Sequence, residues 1–532
     1  MNMDRRTFVK LGSSILPAAG LAPLSLTGLI GSEERAVRPV ARSASPVAAK
    51  AGAEEPANYT LRIGTGLVEV GHQHIISTTT YNGQFPGPLL RFKEGQRTII
   101  DIYNDTDRPE QFHWHGQFIP VDVDGSAEEG TPYIPPHGHR REIFVPKPSG
   151  LRFYHTHVIA GGDLSAGQYS GQVGPVYIEP ADPSGQREAA VPPDQHSVAP
   201  GFPLHADRED PLHYDREEFI MLKEFEPYFM RGGDMAMDFL AGKEIPELKA
   251  MQDKAEKQTA NLPKGYEVGY KVFTINGHQL GHGKPIEVKQ GERILFHIIN
   301  GSATEIRSLA LPGHHFKVIA LDGNPVPHPA TVPVLWLGTA ERISAIVEMN
   351  NPGVWIMGDL ADDDRGNGMG VVVRYAGHQG KPQWTTPRSF TWDYTLFGRH
   401  DTAAAEPDET IDILFAKQKA AAGGFNRWTI NGKAFDMMNM QPMWHIKEGK
   451  RYRLKMRNAS DDLHPMHLHR HSFEITRIGG KPTAGIMKDV VMLGGFQEME
   501  VDFIANNPGL TLFHCHMQLH MDFGFMALFD YA

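Results

Sequence analysis

The chain has 532 residues, 40% hydrophobic and 22% charged, with 39 Pro and 55 Gly; this globular composition excludes a single small module, a collagen-like repeat and a disordered chain. Its 52 Lys and Arg face 63 Asp and Glu, and because residues 1–51 hold four more bases than acids, the remainder carries −15, a charge ill-suited to nucleic acid or anionic lipid. One cysteine excludes an internal disulfide, and 27 histidines ask for an explanation such as metal binding.

The N-terminus reads Asp4-Arg5-Arg6-Thr7-Phe8-Val9-Lys10, then a weakly apolar run to Ile30 and small residues to Ala53. This resembles a twin-arginine export signal, which predicts recognition by the twin-arginine export machinery, cleavage near Ala51 and a periplasmic or exported product. Pro17 and the glycines weaken any spanning helix, and no other run is apolar enough to cross a bilayer, so no stable membrane span is expected.

Beyond this leader (1–54), one unit is written three times. Asn82-Gly83, Asn276-Gly277 and Asn431-Gly432 each open a segment that reaches Lys93-Glu94-Gly95, Lys289-Gln290-Gly291 or Lys447-Glu448-Gly449. A strand of alternating polarity follows, ending at Asn104, Asn300 or Asn458. Farther on, each unit repeats a strand, a Pro/Gly turn and a second strand. Aligned on Gly150, Gly353 and Gly509, His155-Thr156-His157 meets Gly358-Asp359-Leu360 and His514-Cys515-His516. The repeats predict an all-β protein of three consecutive β-sandwiches, at 55–182, 215–378 and 384–532, with a linker at 183–214 and a helical insertion at Pro246–Lys257.

On a strand, residues i and i+2 share a face, so His-x-His offers two imidazoles side by side. The spacing is cheap: His72/His74, His137/His139 and His469/His471 have it without further support. Four instances differ because they recur in matching places of the first and third units: His113-Trp114-His115, His155-Thr156-His157, His467-Leu468-His469 and His514-Cys515-His516. Since the middle copy lacks them, the first and third units are expected to meet and converge eight imidazoles, a nitrogen-rich cage that suits copper. Cys515 faces away from its flanking histidines into its own sandwich, where it can meet His464 and His520 as a two-imidazole, one-thiolate copper site.

With these motifs in place, the chain after residue 55 resembles the multicopper oxidases, which implies cupredoxin-like Greek-key domains and four copper ions. By that resemblance one type 1 copper takes His464, Cys515 and His520, one type 2 copper takes His113 and His467, and two type 3 coppers take His115, His155, His157, His469, His514 and His516. The implied activity is laccase-like: one-electron oxidation of a small organic or metal-ion donor, transfer through Cys515 to His514 and His516, and reduction of O2 to water. Three residues depart from the family pattern. Phe525 stands where many members carry an axial methionine, with Met526 one place later, so a non-ligating axial position and a raised potential are expected. Met521 replaces an acidic residue, which leaves Asp124 as the candidate proton donor. Arg470 replaces a usual glycine, with no ligand lost. Methionines at 230, 235, 237, 437, 438, 440 and 443 keep a Cu(I), Mn(II) or Fe(II) oxidase as the alternative, although gap-filling packing or a flexible loop is the favoured reading of them. A non-enzymatic cupredoxin-fold protein is disfavoured because every ligand position is filled.

Overall fold

The computed structural model describes residues 55–181, 210–232, 238–400 and 403–532. The leader, residues 183–209 of the expected linker, and Met235 and Met237 lie outside the described residues.

Each repeated sequence feature performs one structural task three times. Asn82, Asn276 and Asn431 have φ of 55°, 51° and 49°, and Gly83, Gly277 and Gly432 follow at 69°, 80° and 76°, the pair of positive values that a tight hairpin turn requires. Each asparagine Oδ1 accepts a backbone N–H from a neighbouring strand, at Arg62, Met221 or Leu414, over 2.7 Å. Its Nδ2 donates to the carbonyl of Thr60, Phe219 or Asp412 in the same strand. An aspartate could not donate that second bond, which accounts for asparagine in all three copies. The strand-ending Asn104, Asn300 and Asn458 repeat another device. Their Oδ1 accepts the N–H two residues on, and their buried Nδ2 donates to Ile134, Leu337 or Gly494 across the unit.

The first unit packs two four-stranded sheets face to face around Leu61, Ile63, Ile100, Trp114 and Val176. The second and third units each own a five-stranded sheet, and their other sheets run together into one of twelve strands. The seam is narrow: Tyr266–Ile275 meets Phe425–Ile430 in parallel at the single pair Tyr266 and Phe425. Three cupredoxin-like sandwiches thus share two backbone frameworks, a fusion that the repeat pattern does not reveal because each copy reads as a closed unit. The insertion is a helix, Pro246–Gln258, with its proline in the first turn, where no intrahelical donor is missed. It buries Leu248 against Ala459 and Phe496 of the third unit, so an appendage of the second sandwich braces its neighbour.

Candidate metal centre

Two strand pairs build the cage. His113–His115 lies antiparallel to Gly150–His155, with His113 opposite His155. In the third unit His464–Leu468 pairs with Thr511–Cys515, with His467 opposite His514 and Met466 opposite Cys515. Cross-strand neighbours sit about 5 Å apart, so each pairing clusters imidazoles before the units meet. The two clusters then interlock: the His115 and His467 rings stack at 3.8 Å between centroids, and those of His113 and His469 at 4.2 Å.

The nitrogens divide into trios. His115 Nδ1 and His516 Nε2 approach His155 Nε2 to 3.4 and 3.3 Å. His469 Nε2 lies 3.1 Å from His514 Nε2, and His157 completes a group able to surround one ion. His113 and His467 share no hydrogen bond, and each leaves a buried Nε2 without a partner among the described residues. Neighbouring oxygens hold the outer nitrogens. His113 Nδ1 donates to the Asp124 carbonyl at 2.8 Å, His155 to Thr156 at 2.8 Å, His467 to Asp489 at 2.7 Å and His514 to Cys515 at 2.9 Å, while His469 Nδ1 donates to Asp124 Oδ2 at 2.9 Å. That fixes the tautomer and turns each Nε2 lone pair inward, as metal ligation demands. Burial, reinforced by crowding among the imidazoles, keeps His115, His155, His467, His469 and His516 well below the usual imidazole range and therefore neutral.

On the other side of the strand, Cys515 Sγ lies 3.6 Å from His520 Nδ1 and 3.9 Å from His464 Nδ1, and those two nitrogens are 3.2 Å apart. Ser460 Oγ contacts His464 Nε2 at 2.9 Å, and the Trp428 indole stacks on His520 at 4.0 Å. Burial pushes the Cys515 thiol far up, so it ionises only if a cation enters the triangle. The Phe525 ring closes this site, 4.6 Å from His464, whereas Met526 packs elsewhere with Leu512, Met521 and Leu528. Orphaned Nε2 atoms, neutral imidazoles and a buried soft thiol fit copper and offer no oxygen cage for calcium or magnesium.

Of the cage's neighbours, Glu128, Glu129 and Asp489 carry no sequence signal, whereas Asp124 is the expected proton donor and Arg470 the expected departure. Asp124 is fully buried and paired with Glu129: burial raises Asp124, but the His113 imidazole brings it down to about 2, while burial and the Asp124 charge drive Glu129 well above its usual range. Glu128 Oε2 lies 3.4 Å from His157 Nδ1, and Asp489 Oδ1 accepts from His115 Nε2 at 3.1 Å. Arg470, with φ of 55°, donates to the carbonyls of Asn507, Pro508, Gly509 and Leu510, and so holds the turn that leads into the Cys515 strand. The unsupported pairs do ordinary work: His74 meets Glu226, His137 meets Asp107, His139 meets Asp101 and His471 meets Tyr531.

Three family models, each described as multicopper oxidase, match residues 64–183, 247–376 and 416–532. Multicopper oxidase MmcO of Mycobacterium tuberculosis is 29% identical over 468 residues, covering 86% of this chain and 84% of that protein. Laccase-3 of Thanatephorus cucumeris is 23% identical over 570 residues, covering 89% and 90%. The crystal structure of the laccase from Botrytis aclada superposes with a TM-score of 0.64 at 20% identity, covering 88% of this chain and 87% of its own. Taken with the imidazole cage and its buried thiol neighbour, these matches place the chain in the multicopper oxidase family, copper-dependent oxidoreductases that use O2 as acceptor.

Proposed function

We propose that this chain is a laccase-like oxidase of small organic donors such as phenols and aromatic amines. The single observation that carries the donor class is Phe525: its ring fills the place from which a thioether would otherwise approach the Cys515 triangle. A centre without an axial sulfur ligand holds a high potential, which suits donors that yield electrons reluctantly. In this reading His464, Cys515 and His520 hold the type 1 copper, His113 and His467 the type 2, and two trios, His115/His155/His516 and His157/His469/His514, the type 3 pair. Bound there, copper supplies the one-electron chemistry that couples four donor oxidations to the reduction of one O2 to two waters.

The chain's own residues do the rest. Cys515 and its flanking His514 and His516 form one covalent path between the two sites, shortened by the hydrogen bond from His514 Nδ1 to the Cys515 carbonyl. Ser460 orients His464 and the Asp489 carbonyl orients His467. Asp124 and Glu129 hold one proton between them beside His469, a store close to where O2 must be protonated. The Arg5-Arg6 leader supports export to the periplasm through the twin-arginine machinery.

A metal-ion donor is the second reading, favoured by one feature: Met438 is 93% exposed, and Met440 is partly exposed beside it, as soft ligands for Cu(I) would be. Met437 and Met443 instead pack into hydrophobic clusters. Steady-state kcat/KM of the copper-loaded protein, with O2 uptake as readout, separates the two. Efficient turnover of a phenol, unchanged in Met438→Ala, supports the organic-donor reading; saturable Cu(I) turnover that collapses in that variant replaces it. Phe525→Met is expected to lower the type 1 potential measured by redox titration, and an unchanged potential would mean that residue 525 does not face the copper.

A further inference from the structure

Asp359 takes the place of Cys515 in the second unit's repeat, and the backbone around it follows the Cys515 site of the third unit. The strand Arg307–Ala310 meets Val354–Gly358 with Ala310 opposite Gly358, as His467 lies opposite His514. Three residues back along each strand, Arg307 therefore stands where the third unit has His464. Beyond Asp359 a short helix, Asp362–Gly366, and then a strand, Gly370–Tyr375, begin at the same intervals as Gln518–Asp522 and Met526–Tyr531 beyond Cys515. Two backbone hydrogen bonds close both loops alike. The Asp359 N–H donates to the Met369 carbonyl at 3.1 Å, as the Cys515 N–H does to Phe525 at 3.1 Å. The Met369 N–H donates to Asp364 at 2.9 Å, as the Phe525 N–H does to His520 at 3.1 Å. Asp359, Asp364 and Met369 thus occupy the positions of Cys515, His520 and Phe525.

A cation of the chain's own fills this copy. Arg307 is fully buried; its Nη1 donates to Asp364 Oδ2 at 2.5 Å and lies 4.0 Å from Asp359 Oδ2, while the Ser308 hydroxyl donates to Asp359 Oδ1 at 2.8 Å. Phe273, three residues before Asn276, lies under the guanidinium at 4.7 Å, and Trp428, three residues before Asn431, stacks on His520 at 4.0 Å. Burial works against the Arg307 charge, but Glu305, Glu224, Asp359 and Asp364 more than offset it and raise the group above its usual range. Arg307 Nη2 and Glu224 Oε2 stand 3.8 Å apart, both buried and both without a hydrogen-bond partner among the described residues. The acids therefore face one central charge, as they would face a bound ion.

We propose that the second sandwich keeps a type 1-like metal site in which the Arg307 guanidinium has replaced the ion, with Asp359 and Asp364 in the places of the thiolate and one imidazole. This rests on reading His464, Cys515 and His520 as the type 1 ligands. A cation tethered to the chain holds the 359–369 loop in its copper-site shape without metal. It also accepts no electron, and the site offers oxygen where copper prefers sulfur and nitrogen, so the second unit neither competes for copper nor diverts electrons from Cys515. Without the guanidinium, the same carboxylates make a site for a hard divalent cation.

Two sets of variants test this. Arg307→His/Asp359→Cys/Asp364→His is built on Cys515→Ser, so that no blue colour comes from the third unit. It should take up one more copper per chain than its Cys515→Ser parent and regain the blue thiolate-to-copper band. Asp359→Cys/Asp364→His on the same parent, with Arg307 kept, should do neither. Arg307→Ala, its acids intact, should bind Mn(II) about tenfold or more tightly than wild type in paramagnetic resonance titrations of the copper-free proteins. Mn(II) should also raise the melting temperature of Arg307→Ala and leave that of wild type unchanged. A folded triple variant without extra copper, equal extra copper with Arg307 kept, or an Arg307→Ala indifferent to Mn(II) would each overturn the proposal. If the triple variant does not fold, Arg307→Ala decides: folding that requires Mn(II) supports the proposal, and a chain that stays unfolded with Mn(II) overturns it. A copper-loaded wild type without a blue band would instead remove the type 1 reading.

Discussion

Cys515→Ser is expected to abolish the blue colour of the copper-loaded protein and to reduce donor-driven O2 uptake by at least about a thousandfold, the scale on which loss of an indispensable group acts. A hydroxyl of serine's pKa does not ionise beside His464 and His520, and oxygen is a hard ligand where the site offers soft chemistry. The fold should survive. The serine Oγ, on a shorter bond, would stop slightly short of where Sγ now lies, 3.6 Å from one imidazole nitrogen and 3.9 Å from the other, and a small shift of an imidazole would give it a hydrogen bond. That bond offsets most of the about 1–3 kcal/mol that an unsatisfied buried hydroxyl would cost. The cage histidines do not depend on the sulfur, so the variant should still load copper in the cage. Absorption spectra, copper content and thermal melts on the same preparation check all three statements. Retained donor oxidation would show that electrons reach the cage by another road.

The local half of this architecture is legible in the chain because it is written in short-range pattern. Asn82, Asn276 and Asn431 announce the three hairpins, since a positive φ and a bonding side chain leave few other choices. The His-x-His pairs announce the cage because period-2 strands place both rings on one face. Cys515 announces the neighbouring site for the complementary reason, being one residue out of phase with its flanking histidines. What stays hidden is whatever arises only when the sandwiches meet. Asp489 reaches His115 across 374 positions, and Glu129 accepts the Leu512 N–H across 383. No spacing rule links such residues, and an Asp after a Lys reads as an ordinary surface pair. The sharing of one twelve-stranded sheet by two units is hidden likewise, because it hangs on one bridging residue pair. Arg470 reads as a simple loss of glycine, yet its guanidinium ties together four consecutive carbonyls before the Cys515 strand. The loss of conformational freedom at a positive φ is offset by bonds that a glycine could not make.

Where the three units meet, six fully buried ionisable groups balance: Arg152 from the first, Asp322, Glu341 and Arg342 from the second, and Lys488 and Asp489 from the third. Arg342 grips Asp489 with two parallel bonds of 2.6 Å, Lys488 lies 3.0 Å from both Asp322 and Glu341, and Arg152 donates to the Asp322 carbonyl. Arg342→Met is therefore expected to cost about 3–5 kcal/mol, because it leaves the Asp489 carboxylate buried without its counter-charge. The damage should not stop at stability. Asp489 orients His115 through its side chain and His467 through its carbonyl, so the cage should load copper more weakly as well. Repulsion is the test of cause: Arg342→Met combined with Asp489→Asn restores the charge balance and should be less destabilised than Arg342→Met alone, a non-additivity that unrelated cavities would not produce. Denaturant melts of the copper-free proteins read the stability terms, and copper content after reconstitution reads the positional one. A single variant as stable as wild type would mean that the network is tolerated rather than stabilising; additive losses would mean that Arg342 acts through packing on Phe153, over which its guanidinium lies at 5.6 Å, rather than through charge.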